Sequence, residues 1–202
     1  MVDIEERIKF FKEQLNDSNK KSLDIVREFL CFGRPYIFEG DESKYFKLKN
    51  EISKKFNVHP NEVLMIGSGK LGFSTAPSKL WKPFDIDSDI DIAIVSETAF
   101  NYYWNELKKT DIDTFRRDIK TDSKYQEFLL YLFKGWLRPD KFNIKNKLTR
   151  EWFEYFNSLK SLISEDKEYK ISAGIYKDFE SFEYHFCKNI TTIKNIIQGE
   201  KE

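Results

Sequence analysis

The fold of this chain is decided by residues 63–95, which read VLMIGSGKLGFSTAPSKLWKPFDIDSDIDIAIV. Two apolar runs, 63–66 and 90–95, contain the β-branched residues that favour strands. A glycine-rich segment follows the first run, and Asp89 and Asp91 stand at the start of the second. Because successive side chains of a strand point to opposite faces, we predict that both carboxylates lie on one face, about 6–7 Å apart.

Two ionised carboxylates at that separation repel each other by about 2.5 kcal/mol at an effective dielectric constant of ~20. A bound cation would offset this repulsion, and hard divalent cations prefer oxygen ligands. The pattern therefore predicts a divalent metal site, with Asp89 and Asp91 as its ligands, beside a phosphate-binding turn.

The composition is that of a globular protein without a general affinity for nucleic acid. The 202 residues include 34 basic and 34 acidic side chains, so the net charge is zero and only a local basic patch could bind nucleic acid. Apolar runs are far shorter than the ~18–20 residues that span a bilayer. The charged start lacks a signal-peptide core, so we expect a cytoplasmic protein without a membrane partner. Cys31 and Cys187 are too few for a disulfide framework or a zinc cluster.

Hydrophobic periodicity predicts an α+β fold, with a small mixed sheet surrounded by N-terminal, middle and C-terminal helices. Apolar spacings of three and four predict helices near 4–15, 22–32, 44–56, 97–107, 123–134, 150–163 and 181–197. Strands are predicted at 63–66, 90–95 and 169–176, with a short edge strand at 36–38. The chain divides into an N-terminal helical segment (1–57), a core with a helical insertion (58–178) and a C-terminal helix (179–202). We expect these parts to form one compact unit.

The glycines at 67–72 allow two other interpretations, and both are disfavoured. They match the dinucleotide-binding fingerprint GxGxxG, and Asp91 lies about 20 residues further on. That fingerprint must open a helix within a βαβ unit, whereas Pro77 and Pro83 follow here and the acid falls inside a strand. A P-loop requires Ser or Thr after its lysine, and Lys70 is followed by leucine.

A third interpretation joins the glycines to the acids. Gly67-Ser68-x-x-x-Gly72 and Ser88-Asp89-Ile90-Asp91, at the ends of successive apolar strands, resemble the DNA polymerase β-like nucleotidyltransferase superfamily over about 30 residues. The resemblance implies that the Gly-Ser segment binds the nucleotide's phosphates, through Gly67, Ser68, Gly69, Lys70 and Gly72. It also implies that Asp89 and Asp91 are catalytic and hold Mg²⁺ or Mn²⁺.

The implied activity is metal-dependent transfer of a nucleoside monophosphate from a nucleoside triphosphate, such as ATP, to an acceptor hydroxyl. The acceptor could belong to RNA, a protein, a small molecule or another nucleotide, and the oligomeric state is open. Small prokaryotic members of the superfamily often act in toxin–antitoxin systems or in antiviral defence. In these terms the protein is a cytoplasmic nucleotidyltransferase.

Two departures from the family pattern keep an alternative open. The spacer 73–87 is fifteen residues long, longer than usual, although its Lys79 and Lys82 could contact phosphates. Active members also carry a third carboxylate on a later neighbouring strand, and the predicted strand 169–176 has no internal acid. Other acids that could serve are Asp111, Asp113, Asp166, Glu168 and Asp178.

Without a third acid the chain would be an inactive nucleotidyltransferase-fold module that binds nucleotide, nucleic acid or a partner protein. Residues 134–150 carry six basic side chains against one acid, which would help binding to nucleic acid. A purely structural interaction protein is a third possibility, which exposed Trp136 or Trp152 would favour.

Overall fold

The computed structural model describes residues 3–109, 123–142, 146–164, 167 and 169–199. The strands are β1 (Val63–Ile66), β2 (Ile90–Val95), β3 (Trp136–Leu137) and β4 (Ile171–Tyr176). The helices are α1 (Ile4–Asn16), α2 (Ser22–Val26), α3 (Glu42–Phe56), α4 (Gly67–Leu71), α5 (Glu97–Lys108), α6 (Ser123–Phe133), α7 (Lys147–Ser158), α8 (Lys160–Ile163) and α9 (Phe179–Gly199). A π-helical turn, Arg27–Cys31, continues α2.

The strands form one mixed sheet in the order β1-β2-β4-β3. The β1/β2 and β3/β4 pairs are antiparallel, whereas β2 and β4 are parallel. The mixed α+β class predicted from the sequence is therefore confirmed. The predicted edge strand was wrong, because Tyr36–Phe38 forms a 3₁₀ turn. The two-residue strand β3 was not predicted, since Gly135–Pro139 was interpreted only as a helix break.

Helices cover both faces of the sheet, so most residues of β2 are buried. Ile90, Ile92 and Ile94 pack with buried side chains of α3, α5 and α7 in one cluster. Ala93 and Val95 pack with α1, α2 and α9 in the other. The second cluster combines residues from the N-terminal segment, the core and the C-terminal helix. Within the described ranges, no helix has both the length and the apolar character that crossing a membrane requires.

Several large apolar side chains of the helices are exposed. Trp104, Leu129 and Phe153 are 39%, 45% and 50% exposed. Trp152 is buried and Trp136 is partly buried, which weighs against an exposed tryptophan surface. Four candidate third acids lie outside the described residues: Asp111, Asp113, Asp166 and Glu168. Both cysteines are free thiols.

Register places the candidate residues beside one another. Asp91 of β2 is opposite Ile66 of β1 and opposite Ser172 of β4. Since Gly67 follows Ile66 directly, the start of α4 lies next to Asp91 at this edge of the sheet.

Candidate functional site

The Gly-Ser segment forms one helical turn, where the sequence analysis expected a non-helical turn. This turn, α4, ends at Gly72, which has a left-handed φ of 91° and donates its N–H to Ser68 O at 2.8 Å. Five residues with two internal glycines are too few for periodicity to indicate a helix. The antiparallel pairing of β1 and β2 also excludes a βαβ unit here, and with it the dinucleotide fingerprint.

Gly67 is required by the close approach of Asp91. A Cβ atom at position 67 would lie 2.5 Å from Asp91 Oδ2, and Gly67 has a left-handed φ of 64°. Only glycine adopts that conformation without strain and leaves room for the carboxylate. The glycine is therefore coupled to Asp91 by packing as well as by backbone geometry.

Asp89 and Asp91 lie where two cavities meet. The smaller cavity, of about 190 Å³, also contains Ser68 and the loop lysines Lys79 and Lys82. The larger, of about 570 Å³, extends between β4, β3 and α7 and is lined by four basic side chains: Arg138, Lys141, Lys160 and Lys170. Both carboxylates thus line a cleft of two adjoining polar cavities, and each cavity also contains basic side chains.

The two carboxylates differ in their surroundings. Burial raises the pKa of Asp91 to about 6, because the charged form is disfavoured away from water. Arg138 and Lys170 oppose this shift, whereas Asp89 and Asp140 reinforce it. Asp89 has a 43% exposed side chain, and Lys170 Nζ lies 3.4 Å from its Oδ2. Basic side chains therefore already offset part of the repulsion that was attributed to a missing cation.

On β4, the strand where the resemblance implies a third carboxylate, the residue opposite Asp91 is Ser172. Its hydroxyl accepts a hydrogen bond at 2.7 Å from Arg138, whose guanidinium also binds both oxygens of Asp140, at 3.0 and 2.6 Å. Asp140 lines the larger cavity with Asp89 and Asp91, but Arg138 holds its carboxylate. The sequence analysis missed Arg138 and Asp140. An Arg-Pro-Asp stretch indicates a turn, and nothing in it tells which strand the turn adjoins.

The predicted phosphate-binding segment is divided between two sides of α4. Ser68 faces the cleft, whereas Lys70 is only 4% exposed and donates to the carbonyl oxygens of Phe32, at 2.6 Å, and Gly33. Gly69 is packed by Met65, with the sulfur 3.4 Å from a would-be Cβ atom. Lys70 therefore lies in a different cavity, away from Asp89 and Asp91.

Asp89 and Asp91 have the oxygen donors that a magnesium ion prefers. Mg²⁺ is commonly held by one or two carboxylates, waters and phosphate oxygens. In the described part of the chain no group of three or more His, Cys, Asp or Glu side chains could hold a metal ion. Asp89 and Asp91 could supply two of the oxygen ligands of such an ion.

Nearby acids of the loop have structural roles. Asp85 Oδ1 accepts from the Ser88 hydroxyl at 2.8 Å and from the Asp87 N–H at 3.2 Å, and Lys82 lies 2.7 Å from its other oxygen. These contacts fix the turn that leads into Asp89.

Comparisons of this chain with protein-family models, with curated proteins and with solved structures found no match.

Proposed function

We propose that this protein is a metal-dependent nucleotidyltransferase with a sheet of the nucleotidyltransferase type. The observation that supports it best is the junction of two cavities at Asp89 and Asp91, with Ser68 on the smaller side. A reaction between two substrates needs reacting groups held on opposite sides of one catalytic centre. The triphosphate would occupy the smaller cavity and the acceptor the larger one.

Each residue has a distinct role in this proposal. The Ser68 hydroxyl donates to a phosphate oxygen, and the exposed side chains of Lys79 and Lys82 neutralise the triphosphate. Asp89 and Asp91 would hold Mg²⁺, which would lower the charge barrier to attack and stabilise the departing pyrophosphate. Gly67 fixes Asp91 by packing, so that its carboxylate keeps one position.

The exposed ion pair between Lys170 and Asp89 does not oppose metal binding strongly. The Lys170 side chain is 74% exposed, and pairs of this kind contribute less than ~1 kcal/mol. A magnesium–nucleotide complex can displace such a lysine at little cost. Arg138 is different, because it is held by Asp140 and Ser172 and remains beside the cleft.

The second candidate function is an inactive module that binds nucleotide, nucleic acid or a partner. Ser172 favours it, because this residue is opposite Asp91 on the parallel neighbouring strand and has a hydroxyl rather than a carboxylate. Basic side chains on both sides of the cleft would still attract a triphosphate or an RNA phosphate backbone. The two functions differ in whether pyrophosphate is released.

The test is transfer of label from α-³²P-labelled ATP in the presence of Mg²⁺. In the reaction an acceptor oxygen forms a bond to the α-phosphorus, the bond from that phosphorus to the β-phosphate oxygen breaks, and pyrophosphate leaves. The acceptors offered are the protein itself and total tRNA. We expect Asp89→Asn and Asp91→Asn to lower the rate about 100-fold or more. Glu97→Gln, an exposed acid beyond the opposite end of β2, should leave it unchanged.

Binding of a fluorescent ATP analogue separates the two functions. Binding without label transfer or pyrophosphate release supports the inactive module, especially if binding weakens steeply with salt. Label transfer that persists in a double Asp89→Asn, Asp91→Asn variant would refute the proposed site.

A further inference from the structure

A separate cavity lies on the side of α4 opposite the carboxylates. It has a volume of about 450 Å³ and is enclosed by α1, the π-helical turn, α4 and the residues that follow them. Its walls are dominated by phenylalanine rings, those of Phe10, Phe11, Phe29, Phe32 and Phe73. Small-molecule sites have this size and this predominantly apolar lining, with a few polar groups that orient the ligand.

Lys70 is one of five charged residues that line this cavity, with Glu6, Arg7, Glu28 and Arg34. Two of its three N–H donors bind the carbonyl oxygens of Phe32 and Gly33. Within the described ranges no Asp or Glu side chain forms an ion pair with Lys70. A buried charge without a counter-charge is costly, so an anion beside Lys70 would bind favourably.

The surrounding charges reinforce this preference. Arg7 lines the same cavity, and its charge is compensated by Glu39 at 2.6 Å. At the margin Arg34 is paired with Glu42, and Glu28 is paired with Lys20. Glu6, which also lines the cavity, is exposed. Of the cations that line this cavity, Lys70 is therefore the one that forms no ion pair with a described carboxylate.

The rings favour an aromatic ligand. Phe11 meets Phe29 edge to face, with centroids 4.9 Å apart and planes at 89°, and meets Phe73 at 5.4 Å. Phe10 and Phe32 are 49% and 69% exposed, so apolar surface remains open to solvent. Such rings gain from a further aromatic partner in an offset or edge-to-face arrangement, beyond the burial of apolar area.

We propose that this aromatic cavity, on the face of α4 opposite the carboxylates, binds a small aromatic carboxylate, whose anionic group pairs with the Lys70 ammonium while its ring packs among the phenylalanines. The site is separate from the cleft at Asp89 and Asp91, and its occupancy does not depend on nucleotidyl transfer. The planar ring of such a ligand would cover the exposed apolar surface of the cavity, and its carboxylate would pair with the Lys70 ammonium.

The proposal can be tested by calorimetric titration with two matched probes. Naphthalene-2-carboxylate carries the anion, whereas 2-naphthalenemethanol has the same ring without charge. We expect the carboxylate to bind about tenfold or more tightly than the alcohol at pH 7, because an ionised hydrogen bond is added. In Lys70→Met this preference should disappear, while Lys47→Met, at an exposed lysine of α3, should preserve it.

A second variant tests the ring contacts. Phe10→Ser removes a half-exposed ring at the cavity wall and should weaken both probes several-fold while the protein remains folded. The proposal would be overturned if the two probes bind equally, if Lys70→Met keeps the preference, or if neither probe binds. Binding that Phe10→Ser leaves unchanged would also overturn it, since the ligand would then lie elsewhere.

pH supplies an independent measurement. Burial lowers the pKa of Lys70 to about 8, and the nearby cations Lys49 and Arg7 act in the same direction, whereas the Cys31 thiol opposes them. The carboxylate's advantage over the alcohol should therefore decline as pH rises from 7 to 9.5. An advantage that is constant over this range would contradict a role for the Lys70 charge.

Discussion

The two sides of α4 place charged groups in opposite kinds of surroundings. On one side Ser68 faces an open cleft in which Asp89 pairs with an exposed lysine. On the other side Lys70 is buried among phenylalanine rings and held by two backbone carbonyl groups. Exposed pairs are weak and exchange partners readily, whereas a buried charge is fixed and selective. One short helix thus separates an open polar cleft from a cavity lined by aromatic rings.

Asp91 lies between these extremes. It opens to the cleft, yet burial raises its pKa to about 6, and the backbone of Gly67 is packed against its carboxylate. The comparison can therefore be tested at three places. These are Gly67, which packs against Asp91, the buried Lys70, and the exposed ion pair of Lys170 with Asp89.

The largest effect is expected for Gly67→Ala. The substitution forces a non-glycine residue to a φ of 64° and places Cβ 2.5 Å from Asp91 Oδ2. We expect the free energy of unfolding to fall by about 2–4 kcal/mol, measured by denaturant titration. The matched control is Gly40→Ala, where φ is 89° but nothing lies within 4 Å, so only about 1 kcal/mol should be lost.

A double substitution separates strain from collision. Adding Asp91→Ala to Gly67→Ala should recover about 0.5–3 kcal/mol relative to additive behaviour, because the colliding oxygen is removed. Strict additivity, or equal losses in Gly67→Ala and Gly40→Ala, would show that the packing of Asp91 on Gly67 contributes nothing.

The contacts of Gly67, Asp91 and Lys70 show which features the sequence could predict and which it could not. The strands β1, β2 and β4 were predicted because their runs of β-branched and apolar residues are continuous and bounded by turn residues. The sequence also predicted, through the family resemblance, that Ser68, Asp89 and Asp91 belong to one site, and all three line the smaller cavity. It did not predict that Lys70 faces away, because two positions along one helical turn point in nearly opposite directions.

Other features depend on tertiary contacts alone. The strand β3 has two residues, too few for any periodicity, and it forms by pairing with Tyr176 and Ile175. Arg138 follows it into the cleft and binds Ser172, 34 positions away in sequence. No local pattern contains such a contact, so the link between Arg138 and Ser172 could not be predicted from the sequence.

The second prediction concerns the buried charge. The Lys70 pKa of about 8 lies below its ordinary value of 10.5, so between these pH values the unfolded chain binds more protons than the folded one. Stability of the parent protein should therefore rise with pH relative to Lys70→Met. The difference in unfolding free energy should change by about 1–3 kcal/mol between pH 7.5 and 10.5. Lys47→Met, at an exposed position, provides the control for general effects of charge.

The sign of this pH-dependent change in unfolding free energy tests the prediction, whatever the stabilities of the parent protein and of Lys70→Met are at neutral pH. Loss of two hydrogen bonds to Phe32 and Gly33 is a constant contribution, whereas the cost of burying charge disappears on deprotonation. A pH-independent difference would mean that the Lys70 ammonium is solvated in the cavity, and the contrast between the two sides of α4 would then be lost.

The smallest effect is expected for Lys170→Met, which removes the exposed partner of Asp89. Stability should change by less than ~1 kcal/mol, as it should for Lys54→Met, whose ion pair with Glu51 spans 2.9 Å and is similarly exposed. Lys170→Met and Lys54→Met should differ only in their effect on metal and nucleotide binding in the cleft. Because Lys170 competes with a cation for the Asp89 carboxylate, its removal should lower the Mg²⁺ concentration needed for binding of a fluorescent ATP analogue by about 2–5-fold. A higher requirement would instead identify Lys170 as a phosphate ligand, and equal requirements in Lys170→Met and Lys54→Met would mean that Asp89 does not hold the metal. Lys170→Met should hardly change stability. Its effect on the Mg²⁺ requirement therefore reports directly on whether a bound metal ion replaces the Lys170 ammonium beside Asp89.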